Sequence, residues 1–174
     1  SSCPSLLLEP QSTNLVTYSE DFSVSDWTAF DVTSAPNSIT DPAGNLTGCR
    51  ITALSGGNKV IQELIGLAAD PTNDRVFTGS FYIKSPNTTS CIIRVGASTS
   101  NTPITISSEW QRFDAQYTLY ATFTAIRLGV VLDNEGDMVD IAFGQLEEQS
   151  YATSYIPTSG AIATRLADVC TGAG

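Results

Sequence analysis

The 174-residue chain carries eight basic and eighteen acidic residues, a formal charge of −10, and no histidine. That field repels nucleic-acid phosphates and anionic lipid headgroups, so neither nucleic acid nor a membrane is expected as a partner, and the missing histidine excludes a His-dependent triad or zinc site. The length suits one domain, which buries roughly 70% of its unfolded surface without help from a metal or a disulfide.

The opening SSCPS has neither the charged segment nor the apolar segment of a signal peptide, and the sequence reads as a piece of a longer protein. Beyond it, short alternating or apolar runs are separated by clusters of Gly, Pro, Asn, Asp and Ser, which is the pattern of strands and turns. Strands are expected over 13–18, 28–33, 49–54, 59–64, 76–84, 90–97, 102–106, 111–119, 123–132 and 139–146. The turns include DPAGN at 41–45, DPTND at 70–74 and DNEGD at 133–137, each built from residues that favour local backbone hydrogen bonds or left-handed conformations. The apolar run over 125–132 is interrupted by Arg127 and falls far short of the ~20 residues a helical membrane span requires. So many short strands predict an all-β protein with two packed antiparallel sheets.

Side chains at i and i+2 share a face of a strand. In SFYIKS, Phe81 and Ile83 point one way and Tyr82 and Lys84 the other; in CIIRVGA, Cys91, Ile93 and Val95 form the apolar row and leave Ile92 and Arg94 opposite. In QRFDAQYTL, Phe113, Ala115, Tyr117 and Leu119 look inward. Cys3, Cys49, Cys91 and Cys170 are too widely spaced for a zinc ribbon or a redox pair. Cys49 and Cys91 lie in apolar surroundings and read as buried free thiols, whereas Cys3 and Cys170, near the two termini, could form a bridge. From Tyr151 the sequence is rich in small and hydroxyl residues and stops alternating. The sandwich is therefore expected over 1–150, with 151–174 an extended strap leading to a linker or a further domain.

Two terminal stretches carry a resemblance: LLLEPQSTNLVTYSEDFS at 6–23 and GQLEEQSYATSYIPTSGAIATRLAD at 144–168. Together they resemble the opening and closing segments of β-sandwich modules in bacteriophage tail-fibre, tail-spike and head-fibre proteins, and of carbohydrate-binding modules fused to secreted polysaccharide-degrading enzymes. The middle of the chain is similar to jelly-roll modules of the xylan- and glucan-binding type, in which a Ser-x-x-Trp-x-x-Phe strand, here Ser107 to Phe113, precedes an aliphatic strand and a closing strand ending in Gln-Leu-Glu. The resemblance implies a jelly-roll β-sandwich of two antiparallel sheets, a virion or extracellular location, a polysaccharide or cell-surface glycan as ligand, and neighbouring domains in a longer parent, with a homotrimer implied by fibre parents. The closing strand departs from the pattern by lacking the Asp-Asn/Asp pair often found there, so no calcium site is carried over.

Sugars are held in water by aromatic platforms with planar polar partners around their edge. Tyr82 stands out of phase with Phe81 and Ile83, next to Lys84, and a jelly roll is expected to bring it beside Arg94, whose guanidinium can fork hydrogen bonds to hydroxyls or carboxylates. Trp27 stands at a loop-to-strand junction, where core packing and ligand stacking compete, and Trp110 is expected to pack in the core. No catalytic set is expected: Glu147 and Glu148 are neighbours and point to opposite faces of a strand, and no Gly-x-Ser-x-Gly elbow occurs. No cofactor is expected, although Asp133, Glu135 and Asp137 alternate across a turn in a way that could offer oxygen ligands to calcium. The expected function is a non-catalytic module that binds polysaccharide, or else a mounting domain of a virion fibre or a binding module of a polysaccharide lyase or hydrolase.

Overall fold

In the computed structural model, which describes residues 8–169, twelve strands and no helix are formed. Ten of the strands make two five-stranded antiparallel sheets, one in the order β2 (Trp27–Phe30), β5 (Val60–Gly66), β10 (Ala125–Val131), β7 (Ser90–Gly96), β8 (Asn101–Thr105). The other runs β3 (Val32–Ile39), β4 (Gly48–Ala53), β11 (Met138–Glu147), β6 (Arg75–Lys84), β9 (Gln111–Leu119), and the remaining two, β1 (Ser12–Asn14) and β12 (Ala163–Arg165), pair with each other. We call the first the β5/β10 sheet and the second the β6/β11 sheet. The all-β, two-sheet architecture expected from the alternation is borne out.

Apolar rows close the space between the sheets. Phe77, Phe81, Ile83, Ile141 and Leu146 come from the β6/β11 sheet, and Ile61, Ile93, Ile126 and Leu128 from the other, all of them fully buried. Burying such side chains, at about 1.5–3 kcal/mol each, is the main drive to fold. Gly79 is required by this packing, since a Cβ there would lie 2.5 Å from Leu128 and 2.6 Å from Val95 of the facing sheet.

The stretch expected as one strand over 28–33 is two strands in two sheets. Asp31, at φ 48°, breaks it; this left-handed conformation is one Asp tolerates better than most residues. β3 then continues through Pro36 to Ile39, which its edge position permits, because no neighbour requires the missing N–H. In β11 the register shifts between Ala142 and Gln145, and Phe143 takes φ 57° in the resulting bulge.

Residues 151–169 run back over the molecule. Thr153, Ile156 and Thr158 are buried, and Ala163–Arg165 pairs with β1. Cys49 and Cys91 are free and fully buried, and burial pushes both thiols up to about 12. The Cys3–Cys170 bridge lies outside the described residues. In a Cys3→Ser/Cys170→Ser background, a thiol-reactive dye is expected to label neither remaining cysteine in the native state and both after denaturation; rapid native labelling would contradict their burial.

Candidate functional site

Each sheet has an outer face, and the two differ in what covers them. On the β6/β11 sheet, the chain after β11 crosses the outer surface. Thr78 Oγ1 donates to Gln149 O at 2.8 Å and Arg112 Nη1 to Thr153 O at 2.7 Å, and the Tyr155 ring stacks on Phe143 at 4.4 Å. Tyr82 belongs to this stack: it meets Phe143 edge-on at 5.6 Å, with the Arg112 guanidinium 6.0 Å from its ring centre. Uncovered at one end is a row in which Arg50 bridges Asp140 through two hydrogen bonds of 2.7 and 2.9 Å, and the Lys84 ammonium sits 4.8 Å from the centre of the Trp110 ring. An open depression of about 210 Å³ lies there, lined by Arg50, Lys84, Ser85, Pro86, Ser108 and Asp140.

The outer face of the β5/β10 sheet is crossed by no strand or strap among the described residues. The strand pairing aligns one row across all five strands: Thr28 opposite Gln62, Gln62 opposite Gly129, Gly129 opposite Arg94, and Arg94 opposite Asn101. Arg94 Nε donates to Asn101 Oδ1 and its Nη1 to Gln62 Oε1, both at 3.2 Å. The guanidinium thus reaches from β7 to β5 across the Gly129 position; a Cβ at Gly129 would stand 2.5 Å from Ile61 O and 2.7 Å from the Gln62 Cβ. The result is a flat strip of planar polar groups. Along one side lies Arg127, opposite Leu64, which is 57% exposed; along the other is an apolar row that begins at the exposed Phe30.

Charge sharpens the contrast between the faces. Glu63 is the single acidic residue in the five strands of the β5/β10 sheet, and it faces inward, opposite Trp27 and Leu128. Arg94 and Arg127 make no ion pair among the described residues. Burial, joined by the Arg127 charge, lowers the Arg94 pKa from the usual guanidinium value.

The sequence matches no known protein-family model and no curated protein. Solved structures share its fold. The C-terminal family 22 carbohydrate-binding module of Clostridium thermocellum Xyn10B superposes with a TM-score of 0.56 at 13% identity, covering 79% of this chain and 95% of that module. The CBM22-1 xylan-binding domain of Paenibacillus barcinonensis Xyn10C gives 0.54 at 11% identity over 80% and 94%. The chain has the jelly-roll fold of carbohydrate-binding modules. The same fold occurs in tailspike protein 4 of bacteriophage CBA120, with a TM-score of 0.55 at 14% identity; the match covers 76% of this chain and 21% of the tailspike.

Within this jelly roll the four residues singled out from sequence do not form one site. Tyr82 and Lys84 lie on β6 and Arg94 on β7, in different sheets, so their expected adjacency is corrected by the strand order. Trp27 is 5% exposed, packed between Phe22 and Phe81 at 4.9 and 6.0 Å, and its Nε1 donates to Tyr18 O at 2.9 Å; it is a core residue and presents no stacking surface. Trp110, expected in the core, is half-buried on the outer face, and its Nε1 donates to Thr40 O at 3.1 Å. The expected acidic turn folds on itself: Asp137 Oδ2 accepts from Asn134 N and Nδ2 at 2.8 and 3.2 Å. Among the described residues no three His, Cys, Asp or Glu side chains converge as a metal would require.

Proposed function

We propose that the protein is a non-catalytic carbohydrate-binding module that lays a polysaccharide across the outer face of the β5/β10 sheet, and that it serves in a phage fibre or spike protein at the virion surface. The observation that carries the reading is the uncovered row Gln62–Arg94–Asn101 over its glycine floor. Planar amide and guanidinium groups are the partners that ring hydroxyls need, and Leu64 and Phe30 offer apolar contact to the C–H faces. Part of the opposite face is covered by the chain's own C-terminal segment. Glycosidic cleavage needs two carboxylates about one bond, and these five strands present none outward. The virion setting draws support from the tailspike neighbour and from the phage-like terminal stretches.

So shallow a surface desolvates few groups, and dissociation constants of roughly micromolar to millimolar are expected. Affinity electrophoresis against a panel of neutral and charged polysaccharides tests the reading. The wild type and Trp110→Ala are expected to be retarded alike, and Gln62→Ala/Asn101→Ala to run free. Free migration of the wild type in every gel favours a mounting domain instead, and loss of binding in Trp110→Ala alone moves the site to the opposite sheet.

A further inference from the structure

Arg94 is only 5% exposed. A charge removed from water is costly unless an opposite charge or several hydrogen bonds meet it: Asp140, 1% exposed, is held by Arg50, Arg165 meets Glu9, and the buried Asp41 and Glu147 carboxyls each accept from three donor groups. Arg94 has only the neutral oxygens of Gln62 and Asn101, and among the described residues its Nη2 has no acceptor. Arg127 adds a second positive charge beside it. Two guanidinium groups repel each other on an otherwise acid-free face, in a chain with eighteen acidic residues to draw on. Neither guanidinium has a carboxylate partner among the described residues.

We propose that the ligand of this face is an anionic polysaccharide, with a carboxylate or sulfate oxygen pair received by Arg127 at the surface and Arg94 beneath it. The inference rests on the reading of this face as a glycan site. Guanidinium presents its N–H groups in a planar fork that matches a carboxylate or sulfate. The Gln62 and Asn101 side chains hold that of Arg94 in the plane of the sheet, so little side-chain freedom remains to be lost on binding. Arg127 is the contact that sets preference, and Arg94 is a positioned charge below it. The chain's net charge of −10 disfavours anionic polymers in general, so binding of one should depend on a local cluster such as Arg94 and Arg127.

The test uses gels containing polygalacturonate as the carboxylate source, dextran sulfate as the sulfate source, and dextran and xylan as neutral polymers. The wild type is expected to be retarded by at least one charged polymer and not by dextran. Its apparent affinity should fall at least ~10-fold between roughly 50 and 500 mM NaCl, because salt screens the attraction. Arg127→Gln, at a half-exposed position, should keep the melting temperature and lose at least ~10-fold in charged-polymer affinity. Arg94→Gln should lose affinity to the same extent, and also some stability, since its bonds to Gln62 and Asn101 are removed. Binding of xylan or dextran as tight as that of the charged polymers, unaltered in Arg127→Gln, overturns the anion inference and leaves the glycan reading standing. Undiminished binding of charged polymers by both variants also overturns it, whereas absence of binding to every polymer defeats the glycan reading itself.

Discussion

Raising the pH from about 5 to about 8 is expected to lower the melting temperature by on the order of 5–10 °C, and Glu63→Gln is expected to abolish most of that loss. Glu63 is 5% exposed, its Oε2 has no hydrogen-bond partner, and its Oε1 meets the Thr17 hydroxyl at 3.4 Å. That hydroxyl is engaged more closely with Asp26 Oδ2, at 2.8 Å. Burial first, and the Asp26 charge in addition, raise the Glu63 carboxyl from 4.5 to about 7 against the weaker opposing effect of Thr17. The unfolded chain gives up this proton near 4.5, whereas the folded one keeps it until about 7. Between those values the native state binds more protons, so its stability falls as pH rises. The contribution is complete below about 4.5 and gone above about 7, and amounts to about 3 kcal/mol.

Glu9, Asp21 and Asp41 act in the opposite sense at lower pH. Hydrogen bonds hold their carboxyls below the usual values, helped at Glu9 by the Arg165 charge and opposed by burial. What they add is present above their unfolded values and is lost as the pH drops through the folded ones, so stability should peak near about pH 5. In Glu63→Gln a neutral amide, able to donate to Asp26 or to the Thr17 oxygen, replaces the acid. Thermal melts of wild type and variant across the range decide the matter: equal slopes above about pH 5 would show that Glu63 is not the group responsible.

What the sequence made legible was phase. Alternation placed Phe81 and Ile83 inward, Ile92 and Arg94 outward, and Phe113 to Leu119 correctly about β9, because side-chain direction is a local property of an extended backbone. Trp110 is misjudged: its expected place is in phase with the core strands, as for the Trp of jelly-roll modules, whereas it shares the phase of Arg112 and Asp114 and lies on the outer face. Partnership between strands was not legible. β10 lies between β5 and β7, and β11 between β4 and β6, pairings that depend on the whole chain and leave no mark in any one segment. For this reason Tyr82 and Arg94 seemed neighbours, and for this reason Gln62 and Asn101 went unnoticed: single amides in unremarkable contexts become a site only when register aligns them with Arg94. The division of 28–33 turns on one left-handed residue, Asp31, which local pattern does not distinguish from an ordinary strand residue.

The C-terminal stretch escaped periodicity for a different reason, and its chemistry leads to the second large effect: Glu147→Ala is expected to lower the melting temperature by on the order of 10 °C, and a chain ending at Ser150 is expected not to fold cooperatively. The stretch is held by polar contacts to the backbone. Glu147, fully buried, accepts from Ser12 Oγ at 2.6 Å, from Thr153 N at 3.0 Å and from the Thr153 hydroxyl. Gln145 Oε1 accepts from Ile156 N at 2.7 Å, and Asn14 Nδ2 donates to Ile156 O at 2.9 Å while its Oδ1 accepts from Val16 N and Leu146 N. Ser19 Oγ accepts from Thr158 N at 2.8 Å. Each of these side chains is buried, so the run from Gln145 to Thr158 closes polar groups that would otherwise be stranded in the interior. Removing such a buried acceptor costs about 1–3 kcal/mol for each donor it served, because those donors are left without water or acceptor. Truncation after Ser150 strands Gln145, Glu147, Asn14 and Ser19 together and uncovers Phe143. Thermal melts combined with limited proteolysis distinguish the outcomes. Glu147→Ala should melt early and be cut within 151–169 while the sandwich persists, and the truncated chain should be digested throughout. A truncated chain that melts as sharply and as high as the full one would show that the sandwich is complete at residue 150 and that the buried hydrogen bonds beyond it contribute nothing to its stability.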